Sequence, residues 1–133
     1  MGDNKLLFEE ETFKIIGTCM KVHRTLGAGF LESVYQEALE KEFHLQKIHF
    51  QKQLKLNLMY DGHPMKKFFV ADFVCDDKIL LEIKAASLLV KDAEAQVINY
   101  LKSTGLPVGL LINLGQKSLV WKRFINTTNQ CNP

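Results

Sequence analysis

The sequence predicts an α/β domain, a mixed β-sheet flanked by helices. Three observations carry that expectation. Residues 10–45 place apolar side chains at helical spacing; residues 54–85 switch to the shorter period of strands, with turn signals between them; and a helical stretch at 92–103 separates two runs that are apolar almost throughout.

In order along the chain, the first helix runs from about Glu10 to Leu26, with Phe13, Ile16 and Met20 on a stripe that Ile15, Cys19, Val22 and Leu26 widen. The glycines of "GAG" at 27–29 stop it, and a second helix follows from about Phe30 to Leu45, with Leu31, Val34, Ala38 and Leu39 at helical spacing. In "QLKLNLMY", Leu54, Leu56, Leu58 and Tyr60 alternate with Lys55, Asn57 and Met59, the pattern of a half-buried strand, and "DG" at 61 and 62 marks a hairpin turn. Its partner runs from about Lys66 to Cys75. A third strand, about Ile79 to Ala85, is apolar on nearly every residue and completes a three-strand meander. "DAEAQVINYLKSTG" reads as a helix over 92–103, long enough to be a right-handed crossover to a parallel strand in "PVGLLINLG", and "SLVWKRFI" as an edge strand.

With 133 residues, 47% hydrophobic and 24% charged, the chain has the size and composition of one folded domain. That domain is expected over 1–125, with a flexible tail, "NTTNQCNP", over 126–133. No apolar run approaches the ~20 residues needed to span a bilayer, and the acidic start lacks a signal-peptide core, so a cytoplasmic location is expected. Cys19, Cys75 and Cys131 are odd in number and far apart, which points away from disulfides and from a cysteine zinc site. A net charge of +2 suits nucleic acid without demanding it; the local basic clusters are Lys66 with Lys67, Lys52 with Lys55, and Lys122 with Arg123. No phosphate-binding glycine loop, dinucleotide fingerprint or serine-nucleophile elbow is present.

The chemistry concentrates in "ADFVCDDKILLEIKA", residues 71–85, where Asp72, Glu82 and Lys84 interrupt apolar runs. On a strand of period two, Leu80, Glu82 and Lys84 share one face, and Ile79, Leu81 and Ile83 the other. Where Asp72 falls depends on the turn, because residues facing each other across a hairpin have positions that add to a constant. A two-residue loop, Asp76 and Asp77, opposes Asp72 to Leu81. A three-residue loop, Asp76 to Lys78, opposes it to Glu82, and this is the register expected. Two carboxylates so placed lie roughly 5 Å apart at Cβ and repel. Lys84 supplies part of the compensating charge, and a divalent cation bound through oxygen supplies more. The competing reading is a surface ion pair of Glu82 with Lys84 beside a solvated Asp72. The apolar residues between the charges count against it.

An Asp on one strand followed by "ExK" on the next, in this order of elements, resembles the PD-(D/E)xK nuclease superfamily. "GFLESVY" at 29–35 matches the signature of its GxxExxY proteins, and "VHRTLGAGFLESVYQEAL", "AQVINYLKSTGLPVGLLIN" and "WKRF" are similar to theirs over about residues 13–125. The resemblance implies a restriction-endonuclease-like αβββαβ core, with an extra N-terminal helix and a C-terminal edge strand. It implies a metal-dependent nuclease, foremost a DNA endonuclease, using Mg²⁺ or Mn²⁺. Glu32, Asp72 and Glu82 would be the metal ligands and Lys84 the catalytic lysine, while Gln96 and Tyr100 match the QxxxY element that lines the site in the RecB-like branch. Taken alone, Glu32 is also a favourable charge at a helix start, and His23 a helix-packing residue or a phosphate contact. Ala71 stands where the superfamily's Pro would be, a position the metal-binding argument does not use. So small a chain offers little surface to grip a duplex, so a homodimer or a partner protein is expected. The alternative is a non-catalytic nucleic-acid-binding or protein-interaction module on the same fold.

Overall fold

The computed structural model describes residues 7–88 and 91–127. α1 (Glu9–Leu26) opens with Glu9, Glu10 and Glu11, whose charges suit the positive end of the helix dipole. Its buried stripe is Thr12, Ile15, Ile16, Cys19, Val22 and His23, the i, i+3, i+4, i+7 pattern. Phe13 and Met20, expected on that stripe, face outward, Phe13 with 78% of its surface exposed. Threonines take the inner places because their hydroxyls are satisfied locally: Thr12 Oγ1 donates to Phe8 O and Thr18 Oγ1 to Lys14 O.

α2 (Glu32–Leu45) starts two residues later than Phe30, since Leu31 is extended and 75% exposed. Its core contacts are Tyr35, Leu39 and Phe43, each fully buried and four residues apart. Gly27 and Gly29, at φ 73° and 108°, make the turn between the helices. The Tyr35 hydroxyl ties that turn down by donating to Gly27 O and accepting from the Phe30 N–H.

Five strands follow in one sheet of order β1-β2-β3-β4-β5: β1 (Phe50–Tyr60), β2 (His63–Cys75), β3 (Ile79–Lys84), β4 (Val108–Asn113) and β5 (Val120–Ile125). The first three form the expected antiparallel meander. α3 (Lys91–Thr104) carries the chain across to β4, parallel to β3, and β5 lies antiparallel at the edge. β2 begins at His63, earlier than expected, because Asp61 and Gly62 adopt positive φ and close a two-residue turn. Tyr60, beside that turn, is exposed.

α1 and α2 cover one face of the sheet through Ile15, Cys19, Tyr35, Leu39 and Phe43, packed on Phe73, Leu81, Ile83 and Leu110. α3 covers the other through Val97 and Leu101, packed on Phe69, Ala71, Leu80 and Leu111. No described helix is long and apolar enough to cross a membrane. Asn126, expected at the start of a loose tail, is buried, and its Nδ2 donates to Leu101 O and Leu106 O. The rest of that expected tail, 128–133, lies outside the described residues.

The sheet changes phase partway along β2. Phe73 and Cys75 pack beneath α1 and α2, whereas Phe69 and Ala71, of the same parity, pack beneath α3. A regular strand keeps one parity on one face, so the phase of β2 slips between Ala71 and Phe73. β1 slips at the matching place: Phe50 packs on the first side, and Leu54, Leu56 and Leu58 on the second. Lys52 pairs with Phe73 and Leu54 with Ala71, but Gln53 and Asp72 between them are not a ladder pair, and Gln53 has φ 48°.

Candidate active site

Asp72 therefore sits where the regular ladder is broken. The β2-β3 turn holds three residues, Asp76, Asp77 and Lys78, because Cys75 is the last residue paired and Ile79 its partner. Asp76 and Asp77 take φ 53° and 59°, a conformation short acidic side chains tolerate. The pairs Phe73 with Leu81 and Val74 with Leu80 continue that register and set Asp72 against Glu82.

The carboxyls themselves complete the interrupted ladder. The Asp72 N–H donates to Glu82 Oε2 at 3.0 Å, and the Ile83 N–H donates to Asp72 Oδ2 at 2.9 Å. Gln36 Nε2 donates to the Asp72 carbonyl at 3.2 Å. Both backbone polar groups of Asp72 are thus served by side chains, as burial requires. Gln53 adds a side-chain hydrogen bond to the Asp72 carboxyl, which favours its ionised form.

Electrostatically the pair is unfavourable. Glu82 is only 6% exposed, and burial first, then the charge on Asp72, pushes its pKa up to about 8. Asp72 is also raised, mainly by burial, against the opposing bond from Ile83. Glu32, the first residue of α2, raises both, and Lys84, half-buried at the end of β3, lowers both. Tyr100 lies close enough for the Glu82 charge to raise its hydroxyl pKa, after burial, and its ring stacks on Phe69 at 3.5 Å between centroids. Glu32 and Lys84 thus act on both carboxyls, and Glu82 on Tyr100. Gln96, one turn earlier on α3, is exposed and has no hydrogen bond to the carboxyls.

The donor set suits a hard divalent cation: two facing carboxyls, both raised by burial, and Glu82 also by the charge on Asp72, gain most from an added positive charge. Among the described residues, however, no three His, Cys, Asp or Glu side chains are gathered into a ready-made cage, although the charge of Glu32 reaches both carboxyls.

Several supporting residues carried no signal in the strand pattern. Asn113, fully buried opposite Lys84, accepts from the Ala86 and Gly115 N–H groups and donates to Ala86 O and Gln116 Oε1. It holds the chain leaving β3 directly after Lys84, and the Leu114 N–H donates to Lys84 O. Gln36 lies four residues after Glu32, on the same face of α2, a spacing that marks it as a neighbour of the site. His23 is a packing residue: buried, with its Nε2 2.8 Å from Gln116 O.

Neither a curated protein nor a solved structure matches the chain. A family model, the PD-(D/E)XK nuclease superfamily, matches residues 9–124, a span that contains all five strands up to Phe124 and every residue of the site. The chain belongs to the PD-(D/E)XK nuclease superfamily, whose members hydrolyse the phosphodiester bonds of nucleic acids.

Proposed function

We propose that the chain is a Mg²⁺-dependent DNA endonuclease of the GxxExxY group, in the branch that carries the QxxxY element. The observation that carries this reading is the crossed pair of Asp72 and Glu82 with Lys84 alongside, a repulsive arrangement that a cation would complete. Asp72 and Glu82 would hold the ion, with Glu32 turning in from the start of α2. A divalent cation, Mg²⁺ or Mn²⁺, supplies charge stabilisation to the phosphoryl group when bound. Lys84 orients the attacking water and offsets the negative charge that develops on the phosphoryl oxygens. Tyr100, braced on Phe69, and Gln96 one turn before it position the substrate at the mouth of the site. The shortage of surface for gripping a duplex is met by a second copy or a partner protein.

The test is a cleavage assay with Mg²⁺ or Mn²⁺ on single-stranded, duplex and branched DNA and on RNA, beside Asp72→Asn and Lys84→Ala. Cleavage of DNA that both substitutions abolish supports the reading, and activity that survives both removes the assigned site. RNA cleaved in preference to DNA changes the substrate and leaves the site.

One observation favours a second reading, a binding module without turnover: among the described residues no three His, Cys, Asp or Glu side chains form a ready-made cage. On that reading no member of the panel is cleaved, and the ion has no effect on melting temperature.

A further inference from the structure

β3 pairs with β2 only over Phe73–Cys75, so residues 54–71 of the β1-β2 hairpin continue past it as a two-stranded arm. One face of the arm, bearing Leu54, Leu56, Leu58 and Phe69, is covered by α3. The cross-strand pairs Lys55 with Val70 and Asn57 with Phe68 alternate with those residues, and so lie on the opposite face. All four are exposed, Phe68 to 46%, and Lys55 Nζ sits 4.1 Å over the Phe68 ring. Val70 is two residues from Asp72 on the same strand, so the outer face of the arm ends beside the point where β2 changes phase at the carboxyl pair.

The charge is as one-sided as the geometry. Residues 50–70 contain Lys52, Lys55, Lys66 and Lys67 against one carboxylate, Asp61, in a chain whose total is +2. Lys52 is engaged by Glu40, and Lys66 stands two residues before Phe68, exposed in the stretch where the β1-β2 register shifts. An exposed aromatic ring among cations offers what a nucleotide needs: a flat surface for the base and positive charge for its phosphates. A second copy of the chain would bring the same lysines against these, so self-pairing through this face is repulsive.

We propose that this face of the arm is a platform for single-stranded nucleic acid, with a base stacked on Phe68 and the flanking phosphates on Lys55 and Lys66. The strand would run along it toward Asp72. A duplex hides its base faces in its own stack, so the platform discriminates in favour of unpaired strands. As the base arrives, the Lys55 ammonium leaves the ring for a phosphate, exchanging a weak exposed cation–π contact for a stronger stack. The inference rests on the reading of Asp72 and Glu82 as a nucleic-acid cleavage site.

The test is binding of a fluorescein-labelled 12-nucleotide DNA strand, and of the matching duplex, followed by anisotropy in EDTA so that no cleavage is required. The wild type should prefer the single strand. Phe68→Ala should weaken it by about 5- to 100-fold, Phe68→Trp should restore it and Phe68→Leu should not. Lys55→Gln and Lys66→Gln should each flatten the slope of log K against log salt by about 0.7. The platform is overturned if Phe68→Ala binds as the wild type does, or if duplex binds as tightly as single strand. It is also overturned if Phe68→Ala alters only the sedimenting mass, which would make the face a protein interface. The two proposals fail separately. Arm variants that lose binding while no form of the protein cleaves leave the platform and remove the nuclease; cleavage with binding untouched by Phe68→Ala does the reverse.

Discussion

The Asp72 N–H donates to Glu82 Oε2 at 3.0 Å, so a carboxyl oxygen stands where an unbroken ladder would place a carbonyl. The Ile83 N–H returns the arrangement by donating to Asp72 Oδ2. Each carboxyl is thereby oriented by the backbone of the opposing strand, and rotamer freedom that would blur a metal site is already lost. The same arrangement draws two acidic groups together in a buried place. Burial, and after it the charge on Asp72, pushes the Glu82 pKa up to about 8, so that at neutral pH the carboxyl holds its proton.

That proton gives stability a definite pH dependence. Free of metal, the folded chain keeps the Glu82 proton between 4.5 and about 8, a range in which the unfolded chain has lost it. Because the folded state binds more protons there, stability falls as pH rises through that window and levels off above it. Glu82→Gln stays neutral throughout, so its decline should be shallower, and at pH 9 it should exceed the wild type by on the order of a few kcal/mol. Urea unfolding in EDTA from pH 5 to 9 measures both curves. Parallel curves would show that Glu82 is not the group responsible.

A cation must displace the same proton, so binding should strengthen as pH rises. Mg²⁺ should raise the melting temperature more at pH 8.5 than at pH 6. At about 100 times Kd the gain is roughly 2.7 kcal/mol. Chelation should reverse it, and Asp72→Asn should remove it. A rise of equal size in Asp72→Asn places the ion elsewhere.

How much of this was legible depends on which rule governed each residue. The opposition of Asp72 to Glu82 could be read because a turn length fixes a sum of positions, and Asp76 and Asp77 accept the left-handed backbone the three-residue turn needs. Gln53 could not be found that way. The Asp61-Gly62 turn pairs Tyr60 with His63, a register that would set Gln51 opposite Asp72, and only the irregularity between Asn57 and Met59 brings Gln53 there. The phase slip at Asp72 was equally hidden, because alternation reads a strand as having one phase throughout. Phe13 is expected inward from the helical spacing of apolar residues, which takes no account of a threonine whose hydroxyl bonds its own helix. Asn113 read as the polar end of an apolar strand, and its four partners belong to loops whose course no periodicity reports.

The loop after Lys84 admits no side chain at Gly115. A Cβ there would lie 2.4 Å from the Ala86 nitrogen and 2.5 Å from the Ala85 carbonyl carbon, and backbone cannot yield as a flexible side chain does. Gly115→Ala should cost about 2 kcal/mol or more and loosen the segment that holds Lys84 in place. The check is urea unfolding beside cleavage at a temperature where the variant remains folded. A cleavage rate equal to that of the wild type would show that the loop does not position Lys84.

The hydroxyl of Tyr35 bridges Gly27 O and the Phe30 N–H, fixing the approach to Glu32. Tyr35→Phe keeps the ring in the core and leaves those two backbone groups without it, at a cost of about 1–2 kcal/mol. Stability should fall by that amount, and Mg²⁺ affinity should fall with it if Glu32 joins the ion. Thermal shifts with a Mg²⁺ titration separate the two effects. A loss of stability with affinity unchanged would remove Glu32 from the ligand set.

Gln53 offers the sharpest separation of stability from function. Its φ of 48° costs a residue with a Cβ roughly 1 kcal/mol, which glycine avoids. Its side chain also bonds the Asp72 carboxyl and holds that pKa down against burial. Gln53→Gly should therefore leave stability unchanged or raise it by up to about 1 kcal/mol, the freer unfolded chain offsetting part of the gain. At the same time the Asp72 pKa should move upward and Mg²⁺ affinity near neutral pH should drop, since more of the carboxyl is protonated. Carbon-detected titration of the Asp72 side chain follows the first effect and calorimetric Mg²⁺ binding the second. A variant less stable than the wild type, with the Asp72 titration unmoved, would show that Gln53 serves the sheet and not the site.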